Sequence, residues 1–135
     1  MISHGKIRIV MAKLGVDAHD AGIRFVSAGL RDAGIEVVYL GPYQTVQKII
    51  NTAIQEDVDV IGLSTKGGLH LEQASKILEA LKEIDTNIPV IMGGVMPRQD
   101  VAELEKLGIR KIFLTGDTIS DMVSSIKKLI GNNGR

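Results

Sequence analysis

Apolar residues come along this chain in two rhythms, short dense runs and stripes spaced three or four residues apart. The run from Ile7 to Ala12 is dense enough for a buried strand. After it, Ile23, Val26, Leu30 and Ala33 recur at helical spacing from Asp20 and stop at Gly34, a suitable residue just past a helix end. Ile35 to Leu40 predicts a second strand, and Gly41-Pro42 a turn into a helix from about Thr45 to Glu56 with Thr45 as N-cap. Val58 to Ser64 is apolar enough for a parallel strand covered on both faces. The loop Ser64-Thr65-Lys66-Gly67-Gly68 leads into a helix from about Leu69 to Ile84, with Ala74, Leu78 and Leu81 facing inward. Ile88 to Met92 predicts a fourth strand ending at Gly93-Gly94, and a helix starting near Pro97 reaches Leu107 and closes at Gly108. Lys111 to Leu114 is a fifth strand. Beyond Thr115-Gly116-Asp117-Thr118, the stripe Met122, Val123, Ile126 and Ile130 marks the last helix.

Five strands alternating with five helices predict an α/β protein with a parallel sheet and right-handed crossovers. At this length the expectation is a flavodoxin-like three-layer sandwich with strand order 2-1-3-4-5. That order makes strands 1 and 3 neighbours at the switch point, so Lys13 to Gly22 and Ser64 to Gly68 converge on one crevice outside the strands' carboxyl ends. Gly93-Gly94 and Thr115 to Thr118 border the same edge. The 135 residues suit one domain, residues 1–135, in which folding buries roughly 70% of the extended chain's surface.

Composition narrows the function. Sixteen basic residues balance sixteen acidic ones, so the positive field expected of a nucleic-acid binder is missing. No apolar run approaches the ~20 residues that span a bilayer, and no signal-peptide pattern opens the chain. The expectation is a soluble cytoplasmic protein that binds neither nucleic acid nor membrane. With no cysteine, three histidines and the carboxylates remain as metal ligands. His4 reads as a solvated terminal residue, His70 as an exposed residue heading the third helix, and Met11, Met92 and Met122 as core filler.

His19 has a more chemical setting. The turn after the first strand carries Lys13, Asp17, His19, Asp20 and Gly22. An aspartate two residues before a histidine can hold one imidazole nitrogen and leave the other free, as behind a metal-ligating histidine. Lys13, four residues before Asp17, could extend that relay.

These residues resemble the DxHxxG signature of cobalamin-binding domains of the base-off/His-on kind. The span from Lys13 to Asp20 resembles the acyl-CoA mutase branch, and the tracts Leu30 to Tyr39 and Thr52 to Gly62 are similar to small subunits of isobutyryl-CoA and 2-hydroxyisobutyryl-CoA mutases. The resemblance covers nearly the whole chain. It implies His19 as the lower ligand of cobalt in adenosylcobalamin, Asp17 holding that histidine, and Lys13 balancing Asp17. Gly22 would let the helix approach the corrin or its nucleotide tail. It further implies that Ser64, with Thr65 beside it, hydrogen-bonds the displaced dimethylbenzimidazole, as in the family's SxL motif, though Lys66 stands where the motif has leucine. Gly93 and Gly94 match the diglycine that clears space for the tail. Gly116 and Thr118 partly match a proline-glycine-threonine turn, with Asp117 as a difference.

The activity so implied is radical 1,2-rearrangement of an acyl-CoA such as 2-hydroxyisobutyryl-, isobutyryl- or methylmalonyl-CoA. Its substrate would be held by a separate large subunit built on a (β/α)8 barrel, and no residue of this chain would touch it. Fold classmates fit less well. A phosphoacceptor receiver needs an acidic pair and an aspartate where Lys13 and Ser64 stand, and a flavodoxin needs more aromatic residues than two tyrosines and two phenylalanines. A corrinoid methyl carrier shares DxHxxG but normally has a helical bundle before it.

Overall fold

The computed structural model describes residues 6–15, 20–65 and 68–131. Strand and helix alternate as β1 (Arg8–Leu14), α1 (Ala21–Asp32), β2 (Glu36–Gln44), α2 (Val46–Gln55), β3 (Val60–Thr65), α3 (His70–Glu83), β4 (Val90–Gly94), α4 (Gln99–Leu107), β5 (Lys111–Leu114) and α5 (Ile119–Gly131). All pairings are parallel, in the order β2-β1-β3-β4-β5. This is the expected α/β topology, and it seats β1 against β3.

Side-chain alternation divides the core into two layers. Ile9, Met11, Val60, Ile91 and Phe113 pack against α1 and α5 through Ile23, Leu30, Ile126 and Ile130. On the other face Val10, Ala12, Ile61, Leu63 and Met92 meet α2, α3 and α4. Helices cover both faces of the sheet, which is why its strands read as continuous apolar runs.

Local signals account for two helix ends. Thr45 Oγ1 accepts from Lys48 N at 3.1 Å, capping α2 as expected. Gly34, with φ +93°, follows α1; its N–H donates to Arg31 O and that of Ile35 to Leu30 O, the paired bonds of a Schellman end. The inward stripe of α1 differs in one position. Ala33 is exposed, whereas Ser27, a polar residue on the same face as Ile23 and Leu30, is buried.

Two strands run further than their apolar cores suggest. β1 continues through Lys13 and Leu14, and β2 continues through Gly41-Pro42 to Gln44 instead of turning. β2 is the sheet edge, where a proline's missing N–H costs no ladder bond. Register shifts on either side of Ala12 take up the irregularity, and Gly41 supplies φ +77°. Gln44 secures the extension: its Nε2 donates to Leu40 O and Pro42 O, and its carbonyl accepts from Gly15 N at 3.0 Å. The two extensions therefore deliver the chain to the histidine loop as paired strand.

Candidate functional site

The site lies at the carboxyl edge of the sheet. Lys13 is in β1 rather than in the turn, and only 1% of it is exposed. Its Nζ donates to Ser64 O at 3.4 Å, so the lysine bridges the ends of β1 and β3 across the switch point. Asp17 and His19 fall outside the described residues. Asp20 and Gly22 frame the far side of that loop. The Asp20 carboxylate accepts from Arg24 Nε at 2.7 Å, which together with its charge raises the pKa of Arg24 above the ordinary arginine value. Gly22 is in the first turn of α1, where an added Cβ would meet nothing within 4 Å.

A cleft of about 390 Å³ opens between the sheet and helices α1 and α5. Its floor is Met11, Gly62, Ser64, Ile91, Gly93 and Phe113, and Gly22, Val26 and Met122 are among its walls. Met11 and Met122 thus border open space as well as the core, and Met122 is only half-buried. Gly62 keeps the floor low: a Cβ there would stand 2.6 Å from Met11 Sδ.

Ser64 and Gly93 are register partners on β3 and β4, and both face the cleft. Gly94 lines the cleft as well, whereas alternation sends Thr65 toward the opposite face. The two adjacent glycines nevertheless have different causes. A Cβ on Gly93 would make only ordinary contact, 3.4 Å from Phe113 O, so its absence leaves room in the cleft. A Cβ on Gly94 would collide with the Thr65 carbonyl, and its φ of +143° is one that L side chains rarely adopt. Gly94 is required by the backbone. Thr65 is buried, and its carbonyl accepts from Val95 N at 3.2 Å.

The loop after β5 is built by its own side chains. Leu114 O accepts from Asp117 N, and Asp117 Oδ2 accepts from Leu114 N at 2.8 Å; Gly116 between them has φ +105°. Asp117 thereby closes this turn at the mouth of the cleft. Thr118 caps α5: its Oγ1 accepts from Asp121 N at 3.0 Å, while its own N–H donates to Asp121 Oδ2 at 3.4 Å.

One expectation is overturned. His70 is not exposed but 96% buried, being 4% accessible, and its Nε2 lies 2.7 Å from Asp100 Oδ2. The carboxylate comes from the first turn of α4, and nothing near His70 in sequence signals it. His70 Nδ1 is buried with no hydrogen-bond partner among the described residues.

Comparison with known proteins shows the family. Residues 7–123 match the model of the B12 binding domain. The chain belongs to that family. Cobalamin is therefore its cofactor. It is 43% identical over 129 residues to the 2-hydroxyisobutanoyl-CoA mutase small subunit of Aquincola tertiaricarbonis, covering 95% of each chain. The pivalyl-CoA mutase small subunit of Xanthobacter autotrophicus is 37% identical, with 91% of this chain and 83% of that one covered. Among solved structures, a cobalamin-binding protein from Desulfitobacterium hafniense superposes with a TM-score of 0.76 at 25% identity, over 90% of this chain and 58% of that one.

Proposed function

We propose that this chain is the cobalamin-binding small subunit of an adenosylcobalamin-dependent acyl-CoA mutase, acting in the cytoplasm with a separate large subunit that binds the acyl-CoA. The observation that carries the reading is the likeness to a mutase small subunit along 95% of both chains. The site geometry supports it. The cleft beside the start of α1 is apolar but for a few groups such as Ser64, and its floor is lowered by Gly62 and Gly93. An aromatic base fits such a surface, with the serine hydroxyl for its ring nitrogen.

Cobalamin, when bound, supplies the radical chemistry of the rearrangement. The chain's own residues hold and orient it. His19 would ligate cobalt through Nε2, Asp17 would accept the Nδ1 proton, and the Lys13 ammonium would balance Asp17 while tied to Ser64 O. Ser64 would donate to the base of the nucleotide tail, Gly93 would leave that base its space, and the walls of α1 and α5 would exclude water from it.

The chain's edge can support one face of the corrin, whereas a radical reaction needs the other face covered too. The test is turnover of 2-hydroxyisobutyryl-, isobutyryl- and methylmalonyl-CoA with adenosylcobalamin, measured for the chain alone and during titration with its cognate large subunit. Cofactor binding without isomerisation is expected of the chain alone, with activity saturating at equal numbers of the two chains. Turnover by the chain alone would overturn the subunit assignment. Methyl transfer without isomerisation by the full complex would favour a corrinoid methyl carrier.

A further inference from the structure

We propose that His70 and Asp100 are a positioning pair for the cobalamin site, tying the start of α3 to that of α4 beyond the strand ends that carry Ser64 and Gly93; this rests on placing the nucleotide tail beside those two residues. The carboxylate of Asp100 can only accept, so His70 Nε2 carries the proton and donates. Nδ1 is buried and unpartnered among the described residues, so a second N–H there would be an unsatisfied donor, and the ring is best accommodated as the Nε2–H tautomer.

The bond's place in the fold gives it leverage. Chain segments leaving β3 and β4 are linked at Ser64 and Gly93 by strand register, then by Val95 N donating to Thr65 O, then by His70 donating to Asp100. The last link joins the start of α3 to the start of α4. Without it the starts of α3 and α4 lose their tie to each other, and holding them in place falls to the ligand. Neither α3 nor α4 has a side-chain cap to hold its start in place. Gln73, also in the first turn of α3, donates to Leu14 O at 3.3 Å, immediately before the histidine loop. The start of α3 therefore joins the end of β1 to the β4–α4 loop.

The experiment compares binding of cobalamin and of cobinamide, which lacks the nucleotide tail, to the full chain, read by visible absorbance. The variants are His70→Ala, Asp100→Ala, the double variant, and the conservative His70→Gln and Asp100→Asn. Loss of the bond is expected to weaken cobalamin about tenfold or more, at the low end of the range for groups that orient a ligand's contacts. Cobinamide should be far less affected. Because the two residues act through one bond, the double variant should lose little more than either single one. The conservative variants keep a donor facing an acceptor and should recover most of the affinity.

Equal losses for both corrinoids would make the pair merely structural and overturn the proposal, as would an unchanged preference for cobalamin in the variants. Should His70→Ala fail to fold, Asp100→Ala still decides, because the Asp100 side chain is 24% exposed and its removal leaves no sealed cavity. A wild-type chain that binds both corrinoids equally would instead remove the tail placement itself.

Discussion

Gly94 and Thr65 pack backbone against backbone, leaving no space for a Cβ at Gly94, whereas its neighbour Gly93 has that space and keeps it open toward the cleft. Substitutions at the two positions should separate stability from binding. Gly94→Ala combines a strained φ with a collision against the Thr65 carbonyl and should cost upward of ~2 kcal/mol in chemical denaturation. Gly93→Val should change stability little, yet weaken cobalamin more than cobinamide. Equal effects of Gly93→Val on the two corrinoids would place the tail elsewhere.

Cobalt ligation should depend on His19. The wild-type chain with cobalamin should give a base-off/His-on absorbance spectrum and, as Co(II), a histidine-nitrogen splitting in paramagnetic resonance; His19→Ala should lose both. Retention of dimethylbenzimidazole on cobalt in the wild type would sink the assignment.

Asp17→Asn preserves shape but removes the negative charge that raises the histidine's basicity, and should lower affinity or turnover about 10- to 100-fold. Lys13→Met is the cleaner probe of the lysine, because it keeps the buried stem and removes only the ammonium that reaches Ser64 O. It should lower cobalamin affinity less than Asp17→Asn does. An effect as large as that of Asp17→Asn would give Lys13 a more direct part.

Ser64→Ala removes the hydroxyl from a floor shared with Gly93 and should weaken cobalamin more than cobinamide in titration calorimetry. Equal losses would detach Ser64 from the tail.

Thr118 has a structural role through its bonds to Asp121. Thr118→Ala should cost about 1 kcal/mol of stability, a usual figure for a lost N-cap, and Thr118→Ser should restore it. A cofactor role in addition would appear as a loss of cobalamin affinity that Thr118→Ser does not restore.

The sequence by itself determined the order of ten elements, the parallel sheet, the Thr45 cap and the Gly34 stop. Each is carried by residues within a turn or two of one another, so local periodicity and spacing record it. Tertiary structure alone decided that Gly41-Pro42 continues a strand, because only a sheet edge tolerates that proline. It decided that the backbone bars a Cβ at Gly94 but not at Gly93, since a Cβ's room depends on what β3 and β5 place beside β4. It also buried His70, through a carboxylate 30 residues away that no local pattern pairs with it. Polar burial and clearance are set by atoms the fold brings together, and those distances are not written in sequence spacing.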